Sequence, residues 1–208
     1  MIVKEEDKRA IEIWKKQYPD QHFLNISRRT AIEVGEIGTV NIGNKIVVFR
    51  GIYKAMQEGR KYNDYNNFSP EEITYLNSQG MIWDYETWKE EVYRKAVEIW
   101  KQDHQDQQFL NIPRNTIIEV EGVGNVVIGK KIHTLRCIYQ AMRKGGHYGQ
   151  NKDLTNVEID YWDSQGMIWD YDKWKEEVYR KAVEIWKKDH LDQQFLNMSK
   201  RTIIEVPG

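Results

Sequence analysis

One cysteine, Cys137, stands among 208 residues. No disulfide can form within the chain, which excludes the cross-linked framework of many small secreted domains. No apolar run approaches the length of about 18 residues that marks a membrane-spanning helix, and no signal peptide is recognisable. The expectation is a soluble, cytoplasmic chain. Excess charge is missing too: 31 Lys and Arg against 32 Asp and Glu leave a net charge of −1. That excludes a global basic field for nucleic acid, so any such surface must be local. What the chain has instead is aromatic bulk. Eight Trp and twelve Tyr supply enough apolar surface for a core and argue against disorder.

Self-similarity is the strongest signal. The segment SQGMIWDY occurs at 78–85 and 164–171, and WKEEVYRKAVEIWK at 88–101 and 174–187, both at an offset of 86. The same offset links Trp14, Trp100 and Trp186, Ile42-Gly43 with Ile128-Gly129, Arg50 with Arg136, and Tyr53 with Tyr139. A period this long exceeds the roughly 20–50 residues of solenoid repeats, so each copy reads as a small domain. The division is a first repeat at 1–85, a second at 86–171, and a partial third at 172–208. The third is either a helix-plus-strand cap or the start of a longer array. Trp88, Val92 and Tyr93, with Trp174, Val178 and Tyr179, align with Ile2, Glu6 and Asp7 of the first copy. Large apolar groups thus stand there only where a copy precedes, and these six residues are expected to pack between repeats.

Within a copy, periodicity predicts a connector helix over 86–104 with Asp84 at its cap. Trp88, Val92, Ala96 and Ile99 form one apolar stripe on it, and Tyr93, Val97 and Trp100 a second. A hairpin is expected about Glu121-Gly122-Val123-Gly124. A second helix is expected over 130–144, with Ile132, Leu135, Ile138, Tyr139 and Met142 toward the core. A short third helix at 155–164 has Thr155 and Glu158 at capping-box spacing, as Ser69 and Pro70 open its counterpart. Ile168 and Trp169 of the closing GMIWD segment are expected to face the core. The fold class is α+β, mainly helical, in tandem small domains of about three helices and one β-hairpin each.

These landmarks come together in one pattern: a Trp-bearing first helix, LNIP at 110–113, IGKKIHTLRCIYQAMRKG at 128–145, a short helix opening after Leu154, and DSQGMIWD at 163–170. The pattern resembles the helicase-associated domain of bacteria and phages, over most of both full copies. Departures are Lys131 and Lys45 where that family often has Trp, Leu135 and Phe49 where it often has Gln, and an extended hairpin. The resemblance implies a small accessory module that contacts nucleic acid and is often repeated and attached to helicases. No helicase motor lies within these residues.

Gly124 to Lys130 has the G-x-x-x-x-G-K skeleton of a phosphate-binding loop. Lys131 stands where Ser or Thr must hold Mg²⁺, and Val126-Val127-Ile128 favour a strand. The first copy has Asn44 in place of the lysine. The second helix is the better candidate. Segment 128–147 holds five Lys or Arg and no Asp or Glu, whereas the connector 84–106 holds seven acids against four bases. Its proposed contacts are Lys130, His133, Arg136, Gln140, Arg143 and Lys144, with Lys45, Arg50 and Lys54 in the first copy. Arg and Gln suit phosphates and base edges, and Lys neutralises phosphate. The tryptophans read as core, while Tyr62 and Tyr148, in the linker after the second helix, are freer and could stack on bases. No acid–base pair recurs and no His or Cys has metal-ligand spacing. The expectation is therefore a non-enzymatic module without metal, cofactor or small-molecule substrate, binding DNA or RNA. The alternative is a protein-binding adaptor, or a phage or mobile-element inhibitor docking on a nucleic-acid enzyme.

Overall fold

The computed structural model describes residues 1–190 and 203–206. The elements run α1 (Glu5–Gln17), β1 (Ile32–Glu33), β2 (Thr39–Val40), α2 (Ile42–Gln57), α3 (Pro70–Ser78), α4 (Tyr85–Asp103), β3 (Ile118–Val120), β4 (Gly124–Val126), α5 (Ile128–Arg143), α6 (Asn156–Ser164) and α7 (Tyr171–Asp189). The architecture is α+β and mainly helical. Each hairpin is antiparallel, with Ile32 opposite Val40 and Ile118 opposite Val126.

Local chemistry sets most boundaries. The side chains of Ser69 and Thr155 accept from the backbone N–H of Glu72 and Glu158, and those glutamates accept in return from the cap N–H groups. Two orphan donors are satisfied at each helix start. Asp84 and Asp170 accept from the N–H of Thr87 and Lys173, both at 3.1 Å, and so open α4 and α7. Helix α5 starts two residues before the expected 130, taking in Gly129.

The chain forms two compact units, Met1–Ile99 with Ile117–Val126, and Trp100–Thr116 with Val127–Gly208. They do not follow the sequence repeats. The first unit takes the start of α4 and the β3–β4 hairpin, both from the second copy, because these bind first-copy residues. The N–H of His22 donates to Gly122 O at 2.9 Å, and the Phe23 and Trp88 rings lie 5.9 Å apart. Its core joins Trp14, Leu24, Ile46, Phe49, Ile52 and Leu76. The fully buried Asp7 accepts from Lys4 N at 3.0 Å and has Lys45 Nζ at 3.5 Å, so its charge is compensated. In the second unit, Leu110, Ile128, Ile132, Leu135, Trp162 and Ile168 are buried. Trp100 and Trp186 are 2% and 6% exposed, which makes them core rather than stacking platforms. Met167, at 8%, is buried as well; Trp169, expected to face the core, is half-buried, because its indole N–H turns out to Asp163.

Glu72 also ties down the chain's start, accepting from Ile2 N at 2.5 Å and Val3 N at 2.9 Å. Burial pushes its carboxyl upward, but the hydrogen bonds from Ser69, Val3 and Ile2 outweigh that and hold it below the usual range. A depressed carboxyl contributes stability above its unfolded value of about 4.3, lost as pH falls through the folded value. Glu72→Gln is therefore expected to lower the melting temperature at pH 7 and to flatten its fall below about pH 4. A melting temperature that falls as steeply with acid in the variant as in the wild type would remove Glu72 from the account.

Candidate nucleic-acid interface

Helices α2 and α5 begin hard against backbone. A Cβ placed on Gly43 would lie 1.9 Å from Ser27 O, and one on Gly129 1.9 Å from Pro113 O. Glycine lets the helix start cross the preceding segment, and Gly43 and Gly129 N–H bond back to Thr30 O and Thr116 O. This is a packing role: Gly124–Val126 is a strand, and Gly129 faces a carbonyl where a phosphate loop would need open space.

That crossing sets the direction of the arginines seven residues on. Arg50 Nε donates to Ile82 O at 2.7 Å and Nη2 to Leu24 O at 3.1 Å. Arg136 repeats the arrangement with Ile168 O and Leu110 O, both at 2.7 Å. The guanidinium carbons sit 4.5 Å and 5.0 Å from the ring centres of Tyr85 and Tyr171. Burial lowers both arginine pKa values, opposed by the neighbouring tyrosine. Each arginine is thus a latch joining the second helix to two distant segments and to the ring of the tyrosine that opens α4 or α7. The sequence placed them on a binding face; the structure turns their Nε and one Nη inward because those carbonyls sit in the core wall. Gln140 is likewise engaged, donating to Trp169 O at 3.2 Å. His133 Nε2 lies 3.6 Å from Cys137 Sγ, and Lys45 pairs with Asp7.

Of the proposed contacts, Lys54, Lys130, Arg143 and Lys144 are exposed. Beside Lys54, an open groove of about 440 Å³ is lined by Arg50, Tyr53, Trp83 and Tyr85. Tyr53 and Trp83 stack with centroids 4.1 Å apart, as do Tyr139 and Trp169 at 4.4 Å. Sequence reading missed this Arg–Tyr–Trp–Tyr cluster, although all four residues recur at the 86-residue offset. The two tyrosines singled out for stacking part company. Tyr62 is half-buried against the first unit's core, whereas Tyr148 is 41% exposed.

Of the six residues expected between repeats, Trp88 meets Phe23, and Trp174 meets Phe109 with centroids 6.4 Å apart. Val92, Tyr93 and Val178 are half-buried, and burial raises the Tyr93 phenol. Tyr179 does not fit: it is 59% exposed, with Lys175 Nζ 5.5 Å from its ring centre. It stands one residue, about 100° of helix rotation, from the half-buried Val178.

Among the described residues no group of three or more His, Cys, Asp or Glu could hold a metal ion, and no helix is long and apolar enough to cross a membrane. Comparison with protein-family models, curated proteins and solved structures finds no match to this chain.

Proposed function

We propose that the chain is a non-enzymatic, cytoplasmic module that binds nucleic acid through the end of the second helix and the loop that follows it. The observation that carries this is the segment 143–152. All ten residues are exposed; Arg143, Lys144 and Lys152 stand among them with no acid, and Tyr148 presents its ring. Cations with an exposed aromatic are the parts that track a phosphate backbone and stack on bases. The corresponding segment 57–66 sets Arg60 and Lys61 against Glu58 and Asp64, and Arg60 is paired with Glu58. The resemblance to the helicase-associated domain points the same way. Compared with the sequence reading, which spread the contacts along the helix from Lys130 to Lys144, the contact narrows to its C-terminal end and the loop beyond.

Fluorescence anisotropy with labelled oligonucleotides, single-stranded and duplex, tests this. Arg143→Ala with Lys144→Ala is expected to weaken binding about tenfold and to reduce the slope of log affinity against log salt by about 1–2. The reading fails if the wild-type protein binds no oligonucleotide at low salt. A protein partner recovered stoichiometrically from host lysate, and retained after nuclease treatment, would then favour the adaptor alternative.

A further inference from the structure

The loops after α2 and α5 make one turn with two different tyrosines. Tyr65 N–H donates to Tyr62 O at 3.1 Å and Asn151 N–H to Tyr148 O at 3.2 Å. The residue after each tyrosine has positive φ, 51° at Asn63 and 60° at Gly149. The backbone is therefore shared, and the difference lies in the rings. Tyr62 packs over Gly51: a Cβ added there would lie 2.5 Å from Tyr62 Cε2 and 2.6 Å from Cζ. The second repeat has Cys137 at that helix position, and Tyr148 is 41% exposed.

We infer that the side chain at this position decides whether its repeat presents a stacking ring, and that Cys137 makes the second repeat the reader of single-stranded nucleic acid. Glycine leaves a seat for the tyrosine on the helix. A Cβ removes the seat and turns the ring out among Arg143, Lys144 and Lys152. Stacking needs a base whose faces are open, which a single strand offers and a duplex withholds. Charge follows the same division, since Glu58 and Asp64 accompany the seated Tyr62 while the Tyr148 loop holds no acid before Asp153. The first repeat is accordingly closed to this ligand. The inference rests on the nucleic-acid reading above and names its substrate class and the residue that sets it.

Two measurements separate the packing from the ligand. The first is tyrosine nitration of the free protein, mapped by mass spectrometry. Tyr148 is expected to react and Tyr62 to be protected in the wild type. Cys137→Gly should protect Tyr148, Gly51→Ala should expose Tyr62, and Cys137→Ala should behave as wild type, because the Cβ and not the thiol fills the seat. The second is anisotropy with a labelled oligo-dT and a duplex of equal length. Tyr148→Ala and Cys137→Gly should each weaken oligo-dT binding about fivefold or more while leaving the duplex and the salt slope unchanged. Circular dichroism confirms that each variant is folded. Nitration of Tyr148 in Cys137→Gly at the wild-type level overturns the seat. Wild-type oligo-dT affinity in Tyr148→Ala overturns the ligand assignment and leaves the proposed function standing. No oligonucleotide binding by the wild type overturns both.

Discussion

Replacing Gly129 with alanine is expected to destabilise the protein by about 3 kcal/mol or more, and Gly43→Ala to do the same. In an exposed helix interior the exchange has the opposite sign, since alanine is favoured over glycine by about 1 kcal/mol. The reversal comes from what the new methyl group would meet. At 129 it would lie 1.9 Å from Pro113 O and 2.8 Å from Arg114 C, and at 43 it would lie 1.9 Å from Ser27 O and 2.9 Å from Arg28 C. These are backbone atoms and have no rotamer to adopt. Movement of the crossing segment is opposed by the bonds from Gly43 N to Thr30 O at 3.0 Å and Gly129 N to Thr116 O at 3.4 Å. Gly51→Ala supplies the contrast, because its neighbour is the Tyr62 ring, the end of a side chain that can swing outward. Urea titration should therefore rank Gly43→Ala and Gly129→Ala well below Gly51→Ala in midpoint. Equal or higher midpoints for the first two would mean that the crossing is looser than described.

What could be read from the sequence was local. The capping pairs Ser69–Glu72 and Thr155–Glu158 mark helix starts through contacts three residues apart, and the structure shows those bonds. The burial of Trp14, Trp100 and Trp186 was visible in helical periodicity, because each lies on an amphipathic stripe. Long-range contacts were not visible. Gly129 reads as a break before a helix, whereas it lies in the first turn for a reason held by Pro113. Arg136 recurs, lies beside the apolar stripe and so looks like a binding face. Its partners Leu110 and Ile168 are 26 and 32 residues away, and no helical wheel displays them. The units of packing were hidden for the same reason. Repetition fixes a period of 86 but not where one core closes, and the β3–β4 hairpin of the second copy closes the first unit. For the proposed binding surface, the charge census pointed to the second helix. The difference between Tyr62 and Tyr148 needed the space above Gly51, which only coordinates give.

Arg136→Ala is expected to cost about 3 kcal/mol, and so is Arg50→Ala, because each guanidinium bonds two carbonyls of well-packed residues. Leu24 and Leu110 are fully buried, and Ile82 and Ile168 are each 6% exposed. Truncation leaves their carbonyls without the donors that hold them, and also removes the cation from the Tyr85 or Tyr171 ring. Lysine does not restore the latch: an ammonium at the end of a flexible stem cannot hold two carbonyls and a ring face in the geometry of the planar fork. Arg136→Lys should therefore recover only a small part of the loss. For a chain of this length, 3 kcal/mol corresponds to a fall in melting temperature of roughly 6–12 °C, measurable by circular dichroism. Oligonucleotide affinity, measured well below the variant's melting temperature, should stay within about twofold of wild type, because the phosphate contacts are assigned to Arg143, Lys144 and Lys152. The opposite result, an unchanged melting temperature with binding lost, would return Arg136 to the interface. Stability and affinity thus separate the two roles that a recurring arginine can have, and the inward bonds at 2.7 Å place Arg136 with stability.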